Sequence, residues 1–149
     1  MLSQDVENQI YSTAMALADE ARRVILPLFR GHALSTENKL SDGFDPVTIA
    51  DRGAEKAMRS LLSDLRPDDA VLGEEYGASS GSSGLTWVLD PIDGTRGFIT
   101  GTPTWGVLIA LSDDTGPLFG VIDQPFIGER FIGGFGVSQY KGPLGNAGL

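Results

Sequence analysis

The chain has 149 residues, with 11 basic and 20 acidic side chains and a formal net charge of −9. That length supports one domain with a substantial core, and 41% hydrophobic with 21% charged content fits a folded chain rather than a disordered one. The acidic balance argues against a nucleic-acid partner, which needs basic patches, and the absence of cysteine excludes a disulfide framework or a thiolate metal site. The acidic start of the chain lacks the apolar core of a signal peptide, and no apolar run approaches a membrane span. A cytoplasmic protein with no membrane attachment is expected.

Residues from about Gln4 to Arg30 predict a long amphipathic helix. Val6, Ile10, Ala14, Leu17, Ala21, Val24, Ile25 and Leu28 recur at three- and four-residue steps. Ser3 suits its N-cap, Asp5 and Glu7 its positive end, and Gly31 its stop, while Pro27 bends or shortens the last turn. The single histidine, His32, follows the helix and reads as a surface or capping group. Residues 35–47 are polar and carry the turn signals Gly43 and Asp45-Pro46. A second amphipathic helix spans about Thr48 to Leu65, with Ala50, Ala54, Ala57, Met58, Leu61, Leu62 and Leu65 on its apolar face. Asp51 lies in its first turn, where an acid commonly complements the helix dipole.

Ala70 to Glu75 reads as a short strand ending in two acids, and strand alternation puts Glu74 and Glu75 on opposite faces, so only one can serve a shared site. Ala78 to Gly84 is Ser/Gly-rich and reads as a flexible loop. Strands follow at Trp105–Leu111, Leu118–Gln124 and Glu129–Ile132, with a fourth at Phe135–Tyr140; tight turns between them predict an antiparallel meander.

The stretch from Trp87 to Thr95 organises the rest. An apolar run, Trp87-Val88-Leu89, leads into Asp90-Pro91-Ile92-Asp93 and then Gly94-Thr95. Two carboxylates at the end of a strand can converge on a hard cation such as Mg²⁺. Pro91 stiffens the turn between them, Gly94 lets a ligand approach the backbone, and a helix opening at Thr95 offers free N–H groups to an anion. A metal beside an anion pocket reads as phosphate chemistry, and in so acidic a chain the cation must neutralise the pocket first. The bland alternative is an Asp-Pro turn with an Asx cap.

Asp90-Pro-Ile-Asp-Gly-Thr95, with Gly73-Glu74-Glu75 upstream, resembles the signature of the inositol monophosphatase superfamily of Mg²⁺-dependent, lithium-sensitive phosphomonoesterases. The continuation Arg96-Gly97-Phe98, where the inositol branch usually reads Thr-Asn-Phe, is more similar to the histidinol-phosphate phosphatase branch. The resemblance implies an α+β fold of two helices on a mostly antiparallel sheet, the N-terminal part of a layered α/β/α/β/α architecture. It implies Mg²⁺ as cofactor, as two or three ions, with Mn²⁺ as a substitute, held by Glu74, Asp90, the Ile92 carbonyl and Asp93. Asp51 and Thr95 would orient the attacking water, with Glu74 completing the catalytic set. Ile92, Asp93, Gly94, Thr95 and Arg96 would meet the substrate phosphate, and Lys39 would belong to a loop beside the site. The implied reaction is hydrolysis of a small phosphorylated metabolite by a homodimer, with L-histidinol phosphate as the first substrate and inositol monophosphate as the alternative. Family members continue into a second α/β domain carrying a further metal-binding aspartate. This chain carries no match to it, residues 141–149 read as an irregular tail, and a truncated product or fragment is expected. A different class of function stays open: an inactive half-site used for binding or dimerisation.

Overall fold

The computed structural model describes residues 2–31 and 46–149. The sequence expectations for His32, Lys39 and Asp45 lie outside the described residues. Helix α1 spans Gln4–Ile25, α2 spans Pro46–Leu65 and the short α3 spans Thr95–Thr100. The strands are β1 Ala70–Gly73, β2 Gly77–Ser79, β3 Thr86–Asp93, β4 Gly106–Asp113, β5 Gly116–Gln124, β6 Glu129–Gly134, β7 Val137–Gly142 and β8 Gly145–Gly148. They form one eight-stranded sheet in the order β2-β1-β3-β4-β5-β6-β7-β8. Every neighbouring pair is antiparallel except β1 and β3, which run parallel. This is the expected α+β architecture.

The first helix begins as its sequence predicts: the Ser3 side chain accepts from the Val6 N–H at 3.4 Å. It ends earlier. The α-helix stops at Ile25 and Leu26–Leu28 continue as one 3₁₀ turn, because Pro27 has no N–H to extend the ladder. The left-handed residue beyond it is Arg30, at φ 54°, rather than Gly31. The second helix begins two residues before the expected Thr48, so Asp51 falls in its second turn.

Strand alternation divides the sheet into two unlike faces. Trp87 and Leu89 of β3, Val107, Ile109 and Leu111 of β4, and Phe119 and Val121 of β5 are buried with Ile10, Ala14, Leu17 and Ala21 of α1 and Ala54, Met58 and Leu62 of α2. The intervening residues Val88, Leu108, Ala110, Ile122 and Phe131 line a groove of about 630 Å³ on the opposite face. Among the described residues no helix is long and apolar enough to cross a membrane.

Three sequence expectations need correction. Glu74 and Glu75 lie in the turn after β1, which ends at Gly73, so strand alternation does not decide between them. The segment expected as a flexible loop contributes β2, paired antiparallel with β1. The tail expected to be irregular forms β8, which pairs with β7 from Gly142↔Gly145 to Gln139↔Gly148. Gly-rich segments can still pair through backbone groups alone, because the ladder needs no side chain.

An ion-pair network joins the first helix to the far half of the sheet. Asp123 on β5 is fully buried. It accepts from Arg22 Nε and Nη2, both at 2.7 Å, and from Arg130 Nε at 2.7 Å. Arg130 also donates to Asp19 Oδ1 at 2.8 Å. Removing the shared acceptor would take the carboxylate from Arg22 and leave the buried Arg130 with Asp19 as its one remaining acid among the described residues. We expect Asp123→Ala to lower the unfolding free energy by about 3–5 kcal/mol, the scale for breaking a buried ion pair. Urea denaturation checks this, and a loss below about 1 kcal/mol would show that the network is solvated.

Candidate active site

The site sits where β1 and β3 end. Their parallel register pairs Gly73 with Leu89. The Glu74 N–H continues the ladder by donating to the Leu89 carbonyl at 3.2 Å, so the chain brings Glu74 beside Asp90. On β3 the same alternation that buries Trp87 and Leu89 under the helices turns Asp90 to the other face, where it joins the lining of the open groove. Pairing with β4 shifts between Asp90↔Leu108 and Asp93↔Gly106, an irregularity that re-aims the strand at Pro91-Ile92.

After Asp93 the chain turns sharply. Gly94 has φ 87° and ψ 40°, a left-handed conformation. A Cβ at this position would lie 2.6 Å from the Thr104 carbonyl oxygen, so glycine is required twice over. Helix α3 then opens at Thr95 as the sequence predicts. The Thr95 hydroxyl donates to the Ile92 carbonyl at 3.3 Å, which ties together two of the residues expected at the site. Asp93, Gly94, Thr95 and Arg96 are all exposed, and Asp51 on α2 is buried.

The electrostatics at Asp90 are unusual. Burial first, then the neighbouring Glu74 carboxylate by hydrogen bonding and by charge, and then the charge of Asp93 push the Asp90 carboxyl up to about 7. Its Oδ1 is buried and has no hydrogen-bond partner among the described residues. A buried acceptor left without a donor is costly unless something positive sits against it. Among the described residues, no three acidic or histidine side chains are already closed around one point. The expected convergence of Glu74, Asp90 and Asp93 is therefore present as a close pair, with Asp93 acting through its charge. An orphaned carboxylate oxygen beside a second carboxylate and a nearby third is a donor set that fits a hard divalent cation.

Residues 6–142 match the inositol monophosphatase family. The chain belongs to that family. It is 43% identical over 134 residues to the chloroplastic bifunctional phosphatase IMPL2 of Arabidopsis thaliana, covering 89% of this chain and 38% of the plant protein. It is 42% identical over 118 residues to the histidinol-phosphatase of Mycobacterium tuberculosis, covering 79% of this chain and 45% of that protein. Among solved structures, an inositol monophosphatase from Zymomonas mobilis superposes with a TM-score of 0.76 at 40% identity, over 95% of this chain and 53% of the other. The chain thus spans about half the length, or less, of the relatives it matches.

One group near the site escaped the sequence reading. Glu55 on α2 is fully buried and accepts from the backbone N–H groups of Glu75, at 2.7 Å, and Tyr76, at 3.1 Å. Its signal was a charged residue four positions after Asp51, among the apolar positions of an amphipathic helix.

The raised Asp90 value sets a pH dependence for the metal-free protein. A group whose folded value lies above its unfolded value contributes stability that is fully present below the unfolded value, about 3.9 for Asp. That contribution is lost as pH rises through the folded value of about 7. In EDTA, Asp90→Asn should therefore lose less melting temperature than wild type as pH rises from about 4.5 to about 7.5. Equal declines in the two proteins would show that the Asp90 carboxyl is not raised.

Proposed function

We propose that this chain carries the metal-binding part of a Mg²⁺-dependent phosphomonoesterase acting on a small phosphorylated metabolite. The observation that supports this most directly is the orphaned, buried Asp90 oxygen beside Glu74, within the Asp90-Pro-Ile-Asp-Gly-Thr95 motif of the family. Glu74, Asp90, the Ile92 carbonyl and Asp93 would hold Mg²⁺, with Mn²⁺ as a substitute. When bound, the cation supplies charge neutralisation for the phosphoryl oxygens and a lowered pKa for water. Thr95 and Asp51 orient the attacking water. The backbone N–H groups of Gly94 and Thr95 and the Arg96 guanidinium receive the phosphate oxygens as charge moves onto them. The motif offers no activated nucleophile other than water, so direct hydrolysis is the economical route.

For the substrate, the first reading is L-histidinol phosphate, supported by Arg96-Gly97-Phe98 and by the likeness to the mycobacterial histidinol-phosphatase. The second is inositol monophosphate, supported by the likeness to the inositol monophosphatase of Zymomonas mobilis. Comparing kcat/KM for the two substrates decides between them, with a higher value for histidinol phosphate expected. A preference for inositol monophosphate overturns the first reading and leaves the metal-dependent chemistry in place. No Mg²⁺-dependent turnover of either, with metal binding intact, favours an inactive binding module.

Asp93→Asn separates a metal ligand from a turn residue. Asn keeps the shape and can still accept a hydrogen bond, so a structural turn would survive with a stability change of at most ~1 kcal/mol. A neutral amide oxygen is a poorer Mg²⁺ ligand than a carboxylate. The expected outcome is a folded protein with weaker Mg²⁺ binding by calorimetry and turnover reduced at least ~100-fold, the scale for removing one electrostatic stabiliser. Wild-type Mg²⁺ affinity in Asp93→Asn would remove this residue from the ligand set.

A further inference from the structure

Glu55 is an expensive residue to place where it lies. A carboxylate with no exposed surface must be fully compensated, and an apolar side chain would fill the same helix position without that cost. Its two oxygens are committed to one task. Oε2 accepts from the Glu75 N–H at 2.7 Å, and Oε1 accepts from the Tyr76 N–H at 3.1 Å and from Arg59 Nε at 2.8 Å. Arg59, one helical turn further along α2, extends the same grip by donating to the Gly77 carbonyl and, at 3.4 Å, to Ser79 Oγ. The residue on the other side of Glu74 is held against the same carboxylate: a Cβ added to Gly73 would lie 2.0 Å from Glu55 Oε1. The backbone before and after Glu74 is thus referenced to a single buried group. Hydrogen bonds to an ionised acceptor are about twice as strong as neutral ones, so this turn is fixed more firmly than water or an amide would fix it. Glu74 itself is exposed and forms no part of the clamp.

We propose that Glu55, braced by Arg59, is a positioning residue that aims the Glu74 carboxylate at Asp90 and so sets the metal affinity of the site without touching metal or substrate. This rests on the metal-dependent reading of the site given above. A purely structural Glu55 would stabilise the fold and leave the affinity of the folded protein unchanged.

The test uses Mn²⁺ alone as probe, titrated into the 149-residue chain and followed by electron paramagnetic resonance at a temperature where each variant is folded by circular dichroism. Glu55→Gln keeps the shape but replaces one acceptor oxygen with an NH₂ group that opposes a backbone N–H. The expected result is Mn²⁺ affinity lowered by ~10–100-fold, the range for groups that orient metal ligands, with partial recovery in Glu55→Asp. Wild-type affinity in folded Glu55→Gln, whatever its melting temperature, overturns the proposal and leaves the metal site standing. Failure of the wild type itself to bind Mn²⁺ overturns both, and loss of binding in Asp90→Asn identifies the site being read. Should Glu55→Gln not fold, Arg59→Lys loosens the same turn from a partly exposed position, and unchanged affinity there overturns the proposal.

Discussion

Glu74 and Asp90 stand side by side because β1 and β3 run parallel, the one such pairing in the described sheet. Parallel strands finish at the same edge, so residues that follow them emerge together. Antiparallel pairing would have sent the two acids to opposite ends. The arrangement is unfavourable by itself, since burial and a second carboxylate both oppose the charge on Asp90. Acids assembled against their own electrostatics need a rigid frame. The frame is visible in Gly94, whose left-handed turn lets β3 run directly into α3, and in the Glu55 carboxylate, which accepts from the backbone after Glu74 and packs against Gly73 before it.

The two faces of the sheet divide the remaining work. Trp87 and Leu89 anchor β3 beneath the helices, and the residues that alternate with them, Val88 and Asp90, must then point the other way. A register slip of one residue would carry Asp90 into the apolar core and expose Trp87. The packing of the core therefore protects the chemistry. Asp90 is the only charged residue lining the groove on the open face among the described residues.

Much of this was legible in the sequence, and the gaps have physical causes. Helical periodicity located α1 and α2, because a one-sided sheet demands a continuous apolar stripe from each helix that covers it. The Asp90–Thr95 motif announced the turn at Gly94, whereas the turn expected at Pro91 is an irregularity within β3, which runs on to Asp93. The 3₁₀ ending of α1 was half visible in Pro27. The β8 strand was not visible, because Gly145 to Gly148 pair through backbone alone and leave no hydrophobic alternation to detect. The relation of Glu74 to Glu75 was misread for a related reason: alternation applies within a strand, and β1 ends one residue too soon. Glu55 was passed over because periodicity arguments look for apolar residues, whereas its burial depends on N–H groups twenty positions away.

The two halves of the site are fixed by different forces, and the local backbone explains why. The turn after β1 leaves the Glu75 and Tyr76 N–H groups without strand partners, so it needs an acceptor, and α2 supplies one in Glu55. The later N–H groups of helix α3 are satisfied within its own turn, so what it takes from the rest of the chain is a fixed position. That position comes from aromatic packing. Phe98, buried on the underside of α3, has its ring centroid 5.3 Å from that of Phe29 and 5.1 Å from that of Trp105. Arg30 fastens the far end by donating to the Gly101 carbonyl at 2.7 Å. Its guanidinium also lies over the Phe126 ring, 4.6 Å from the centroid. Polar clamping fixes the acid on the β1 side, and apolar packing fixes the backbone N–H groups on the α3 side. Each can therefore be held in place without a ligand, which is the condition for a site whose like charges would otherwise drive its parts away from one another.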